Sequence, residues 1–156
     1  MRVYVPGTTT VLQRLLDEGA LAGPLTVFTV TPQLRGFYEL SDSDEELEYQ
    51  AFLAAARASL RFLDVDPTAA RRRVVLAADV PDDSITPITA DGADPGAART
   101  TADVTARNVA SAHIDTADAE DDVRAAVGST SRNRRLARAA ARNAWYSSSS
   151  SESLSS

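Results

Sequence analysis

Ser43–Asp66 reads SDEELEYQAFLAAARASLRFLDVD. This stretch decides the fold, because it is the one long helix the chain encodes. Ser43 followed by Glu46 is a capping box: the hydroxyl accepts from a free backbone N–H of the first turn, and the carboxylate reaches back to the cap. Asp44, Glu45 and Glu46 put negative charge at the positive end of the helix dipole. Asp66 precedes Pro67, and proline disfavours helical geometry in the residue before it. At the helical period Tyr49, Phe52, Leu53, Ala56, Leu60 and Leu63 share a face. Leu47, Ala51, Ala54, Ala58 and Phe62 form a second apolar side, leaving Gln50/Arg57/Arg61/Asp64 and Glu48/Ser59 as narrow polar strips. A helix apolar on two sides is buried between layers. The larger side chains suit a sheet, and the alanines suit close approach of another helix.

Upstream, RVYVP (2–6) reads as a strand bounded by Pro-Gly. Thr8, Thr9 or Thr10 caps a helix carrying Val11, Leu12, Leu15 and Leu16, and Gly19 ends it. LTVFTVT (25–31) is β-branched and aromatic, hence a strand. PQLRGFY follows as a short helix with proline at its first position. Downstream, VVLAADV (74–80) is a near-continuous apolar strand, the pattern of burial on both faces. Residues 85–88 form a short edge strand, to which Pro87 is confined. ADGADPGAA is a loop, residues 98–103 pair as a strand, and VASAHID (109–115) is a strand. Asp118 then caps a helix with an acidic first turn. Strand, helix, strand, helices, strand is the order of successive crossover units. The expected fold is a single-domain α/β structure: a mixed, partly parallel sheet of four to six strands packed against the central helix.

A chain of 156 residues fits one domain. The compact α/β domain is expected over 1–127. A basic helical extension follows over 128–146, with Arg134, Arg135, Arg138 and Arg142 on one face. Residues 147–156 are a disordered serine-rich tail. The absence of cysteine excludes disulfides, thiolate metal sites and cysteine nucleophiles. No leader peptide and no membrane-length apolar run are evident, which points to the cytoplasm and away from a membrane. The net charge of −6 is uneven: residues 1–127 hold 11 arginines against 21 acids, and the remainder 5 against one. An acidic body repels nucleic acid. Arg71-Arg72-Arg73 and the arginines of the last helix, with Trp145 beside them, are the positions that would contact phosphates and bases.

No phosphate-binding loop, dinucleotide fingerprint, HExxH or GxSxG motif occurs. His113 is the single histidine. The acids at 115–122 lack the glycine and distal glutamate of a calcium loop and read as a helix start, so no metal site is assigned. Were the strands parallel, their carboxyl ends would gather Thr8, Thr31, Asp79, His113 and Asp115, with Arg35 over the same edge. These six residues are the candidate ligand-binding set. Two carboxylates there would bind a divalent metal or act as acid and base. No catalytic residue and no cofactor are assigned, and the oligomeric state is left open. The two functional readings are a non-enzymatic interaction or regulatory domain with a protein partner, and a small-ligand or divalent-metal enzyme using the strand-end acids.

Five segments, MRVYVP, LTVFTVTP followed by LRGFY, DEELEYQAFLAAARASLRFL, RRRVVLAADVP and VASAHIDTADAEDDVRAAV, occur here in the order in which they resemble a family of small uncharacterised actinobacterial proteins, a domain of unknown function. The Trp145-Tyr146 pair is similar to that family's end. The resemblance implies one compact cytosolic domain and carries no activity or catalytic residue with it. The bias to arginine over lysine and to alanine fits GC-rich coding and the same source.

Overall fold

The computed structural model describes residues 1–38, 43–115, 119–128 and 145–149. Its centre is a seven-stranded sheet in the order β5-β6-β3-β1-β4-β8-β9. These strands are β1 (Arg2–Gly7), β3 (Leu25–Phe28), β4 (Val74–Asp79), β5 (Ile85–Pro87), β6 (Ala97–Thr100), β8 (Val109–Asp115) and β9 (Trp145–Ser149). A second, two-stranded sheet pairs β2 (Ala20–Leu21) with β7 (Val104–Thr105). The helices are α1 (Thr9–Glu18), α2 (Pro32–Phe37), α3 (Asp44–Val65) and α4 (Glu120–Gly128).

The local signals act where the sequence places them. The Ser43 hydroxyl accepts from Glu46 N–H at 3.3 Å, and Asp66 closes α3. Thr8 caps α1, and Gly19 ends it at φ 80°, a left-handed conformation that glycine adopts without a Cβ penalty. Thr31 caps α2 with Pro32 at its start.

The expectation of a partly parallel sheet is corrected: every ladder is antiparallel. β3 and β4 both flank β1, so the α2–α3 crossover joins two strands that run the same way without touching. A strand–helix–strand order fixes their relative direction but not whether a third strand lies between them. β4 is apolar and buried from Val74 to Ala78 because both faces of the sheet are covered there, a pattern the sequence shares with parallel sheets.

Side chains alternate between the two covered faces. Val3, Val5, Val27, Val74, Leu76 and Ala98 pack with Leu15 of α1 and Leu21 of β2. On the other face Phe28, Val75 and Ala97 pack with Leu34 of α2 and with Ala51, Phe52, Ala54, Ala55 and Ala58 of α3. The small side chains of α3 thus belong to the cluster that meets the sheet. α4 instead meets α3 through Leu60 and Leu63 against Val123. Ser59, expected on a polar strip, is fully buried: it donates to Gly7 O at 2.7 Å and accepts from Val74 N at 3.0 Å. Tyr49, expected in the core, is 56% exposed.

Trp145–Ser149 is a strand, where the sequence suggested the end of a helix and the start of the tail; it pairs with β8 from Asp115↔Trp145 to Ser111↔Ser149. The open edge of β8 supplies main-chain partners to any extended segment. The rest of the expected basic extension and tail, and the Asp118 cap, lie outside the described residues.

A groove at the parted strands

The six residues expected at one ligand edge are not brought together. Thr8 Oγ1 accepts from Val11 N at 3.3 Å and is buried as the cap of α1. Thr31 Oγ1 accepts from Leu34 N at 3.0 Å and donates to Pro95 O. Arg35 pairs at the surface with Asp44 at 2.9 Å. Asp79 receives Arg2 Nε at 2.9 Å and Nη2 at 3.2 Å, and that arginine holds its carboxyl below the usual range. His113 lies against Phe52 with ring centres 4.8 Å apart, 3.2 Å from Ser111 Oγ; burial lowers its pKa. Asp115 is buried, bound by Arg73 through Nε and Nη2, both at 2.8 Å.

The antiparallel register explains the dispersal. Asp79 is opposite Arg2, at the start of β1, whereas Asp115 bonds to Arg73, beyond the other end of β4. From Arg73 to Asp79 an extended chain covers roughly 20 Å at about 3.3 Å per residue, too far for two carboxylates to share one metal. Among the described residues no group of three histidines or acids is placed to hold a metal ion. Glu120 is paired with Arg72 at 2.8 Å, and Asp121 with Arg124 at 3.0 Å.

The Arg71–Arg73 run is spent on the protein itself. Arg71 donates to the carbonyls of Leu63 and Ala69, each at 2.8 Å, and also to Asp66 O, while Arg72 and Arg73 pair with Glu120 and Asp115. These guanidiniums tie the C-terminal end of α3 and the start of α4 to the sheet.

A concavity lies elsewhere, where β1 and β3 part. β1 pairs with β4 along its whole length, from Arg2↔Asp79 to Gly7↔Val74, but with β3 only at Tyr4↔Phe28. Pro6 has no N–H to donate and sits where that second ladder would continue; proline in a sheet interior removes a ladder bond. The result is an open groove of about 780 Å³, within the size range of about 300–1,000 Å³ of small-ligand sites. Val5, Leu21, Leu25 and Phe62 supply its apolar surface, and Arg14, Glu18, Arg99 and Asp103 supply its charges. Phe62 is 40% exposed there, although the helical period placed it on an apolar face.

The rim is stitched. Gly23 N–H donates to Asp103 Oδ1 at 2.8 Å, and Ala106 N–H to Gly19 O at 3.0 Å. A Cβ on Gly23 would lie 2.6 Å from Thr101 O and 2.7 Å from Ala102 O, so this close approach requires glycine. None of the groove's charged residues was singled out from the sequence. The available signal was Pro6 inside an otherwise regular strand pattern, which marks an interrupted ladder.

A family model described as a family of unknown function, DUF6912, matches residues 1–152, a span that takes in β9. No curated protein and no solved structure matches the chain. No helix among the described residues is long and apolar enough to cross a membrane.

Proposed function

This chain belongs to that family of unknown function, and we propose that it is a non-enzymatic interaction or regulatory domain of an actinobacterial cytoplasm that takes a small ligand in the groove between β1 and β3. The observation that carries this reading is the interruption of the ladder at Pro6, which opens an apolar cleft rimmed by charged side chains in a sheet otherwise covered on both faces. Apolar clefts with a few placed polar groups are the usual form of small-molecule sites. Guanidinium and carboxylate groups line it, and His113 lies on β8, away from the lining. A metal-dependent enzyme built on the strand-end acids is less well supported, because Asp79 and Asp115 are each held by an arginine at opposite ends of β4.

The test is a thermal-shift screen of metabolites against the full chain and against Thr26→Trp, which places an indole at an exposed lining position. Ligand at 100 times its dissociation constant is expected to raise Tm by about 5–10 °C. The reading requires a hit that Thr26→Trp loses and that mass spectrometry recovers chemically unchanged. A hit converted during incubation would make the protein an enzyme. Hits unaffected by Thr26→Trp would place binding elsewhere.

A further inference from the structure

Taking the groove as the binding site, the distribution of its charges points to the class of ligand: a short peptide with free amino and carboxyl ends and aliphatic side chains. Strand alternation places Arg99 on the α3 side of the sheet, since its neighbour Ala98 belongs to the α1-side core. Thr26 pairs with it across β3 and β6 and shares that side. Among the described residues the Arg99 guanidinium has no hydrogen bond or ion pair. An exposed arginine with no partner is a ready seat for a carboxylate, which it can bind through two parallel N–H donors.

The α1 side has the opposite balance. Arg14 and Glu18 face each other at 4.0 Å and largely offset one another. Asp103 adds a negative charge that no cation among the described residues pairs with; one of its oxygens accepts from Gly23 N–H. Arg99 and Asp103 do not pair with each other, so the groove keeps a positive group and a negative group that do not cancel. That arrangement complements a dipolar ligand. It disfavours a polyphosphate, which would meet Glu18 and Asp103, and a bare metal ion, which would meet Arg14 and Arg99. Val5, Leu21 and Leu25 line the same groove, a surface for aliphatic side chains. β1 and β3, unpaired beyond Tyr4↔Phe28, present main-chain edges to an extended peptide. The volume of about 780 Å³ holds more than a single amino acid.

Calorimetric titration of the full chain with leucyl-valyl-leucine, its C-terminal amide and its N-acetyl form tests this. The free peptide is expected to bind at least about tenfold more tightly than either capped form, a difference of about 1.4 kcal/mol per charge. Arg99→Gln should remove the preference over the amide. Asp103→Asn retains an acceptor for Gly23 N–H and should narrow the preference over the N-acetyl form. Both positions are exposed, so both variants are expected to melt as wild type does. Equal binding of the three peptides, or unchanged affinity in Arg99→Gln, overturns the assignment. If no peptide binds while a screened metabolite is bound and then lost in Thr26→Trp, the peptide assignment fails and the groove reading stands. If Thr26→Trp loses nothing, both fail.

Discussion

Arg73 and Asp115 form a bidentate ion pair inside the protein, with side chains 2% and 0% exposed. Asp115 Oδ2 also accepts from the Arg73 backbone N–H at 2.8 Å, and Asp115 N–H donates to Arg73 O at 3.1 Å. The pair therefore joins the segment entering β4 to the end of β8 by main chain and side chain together. Burying two charges costs desolvation that their attraction only repays when both are present.

Removing one partner is consequently expected to be severe. Arg73→Met or Asp115→Asn should each lower stability by about 3–5 kcal/mol, because an uncompensated charge or its hydrogen-bonding groups stay buried. The double variant should lose clearly less than the two losses added together, as residues in direct contact are not additive. Urea denaturation of the three variants measures this; a strictly additive double variant would mean that the pair is not energetically coupled.

Ser59 is a second tie between layers. Its hydroxyl bridges Gly7 O and Val74 N, residues that face each other across β1 and β4. Ser59→Ala should cost about 1–3 kcal/mol through the buried acceptor left without its donor. Ser59→Val should be worse, since the neighbouring small residues Ala55 and Ala56 are also buried. A stability for Ser59→Ala within error of wild type would remove this hydroxyl from the list of contributors.

Stability should fall on mild acidification through His113. Burial against Phe52 favours the neutral ring, so the folded pKa lies below the unfolded one. The unfolded chain then binds the proton first as pH drops. The contribution is complete above the ordinary histidine value of about 6.5 and is lost as pH falls through it toward the lower folded pKa. Asp79, whose carboxyl is lowered by Arg2, loses its contribution only as pH falls below the usual carboxylate range. Denaturation midpoints at pH 7.5 and 5.5 should therefore differ in wild type and converge in His113→Gln. An undiminished difference in that variant would assign the effect to other groups.

Gly23→Ala should disturb the groove rim selectively. The added methyl meets two backbone carbonyl oxygens, which cannot swing away as a side chain tip can. A loss of about 1–3 kcal/mol is expected from the forced backbone shift. Hydrogen exchange should show faster exchange at Gly19–Leu25 and Thr101–Ala106, with β4 and β8 unchanged. Wild-type exchange at the rim would mean that the loops there are free to move apart.

The sequence carried the elements through local chemistry. Ser43 with Glu46, Thr8 with Gly19, and Thr31 with Pro32 set helix ends within a few residues of themselves, and the strands from Arg2 to Pro6 and Val109 to Asp115 announced themselves by composition. β2 and β7 were missed because a two-residue strand has no period to detect. Ser59 was read as surface because it shares a narrow strip of the helical wheel with the charged Glu48; its burial depends on a carbonyl of β1, 52 positions away. The candidate edge of Thr8, Thr31, Arg35, Asp79, His113 and Asp115 rested on parallel strands, and antiparallel pairing sends Asp79 and Asp115 to opposite ends of β4.

By itself, then, the sequence determined where α1, α2 and α3 begin and end, where β1, β4 and β8 run, and that one long helix would lie on a sheet. These follow from hydrogen bonds and periodicities that close within one or two turns. Only the tertiary structure decided that β1 lies between β3 and β4, that Arg73 meets Asp115, and that the ladder fails at Pro6 to leave a groove lined by both Arg99 and Asp103. Strand adjacency is settled when distant edges compete for the same main-chain donors and acceptors, and that competition involves residues far apart in the chain.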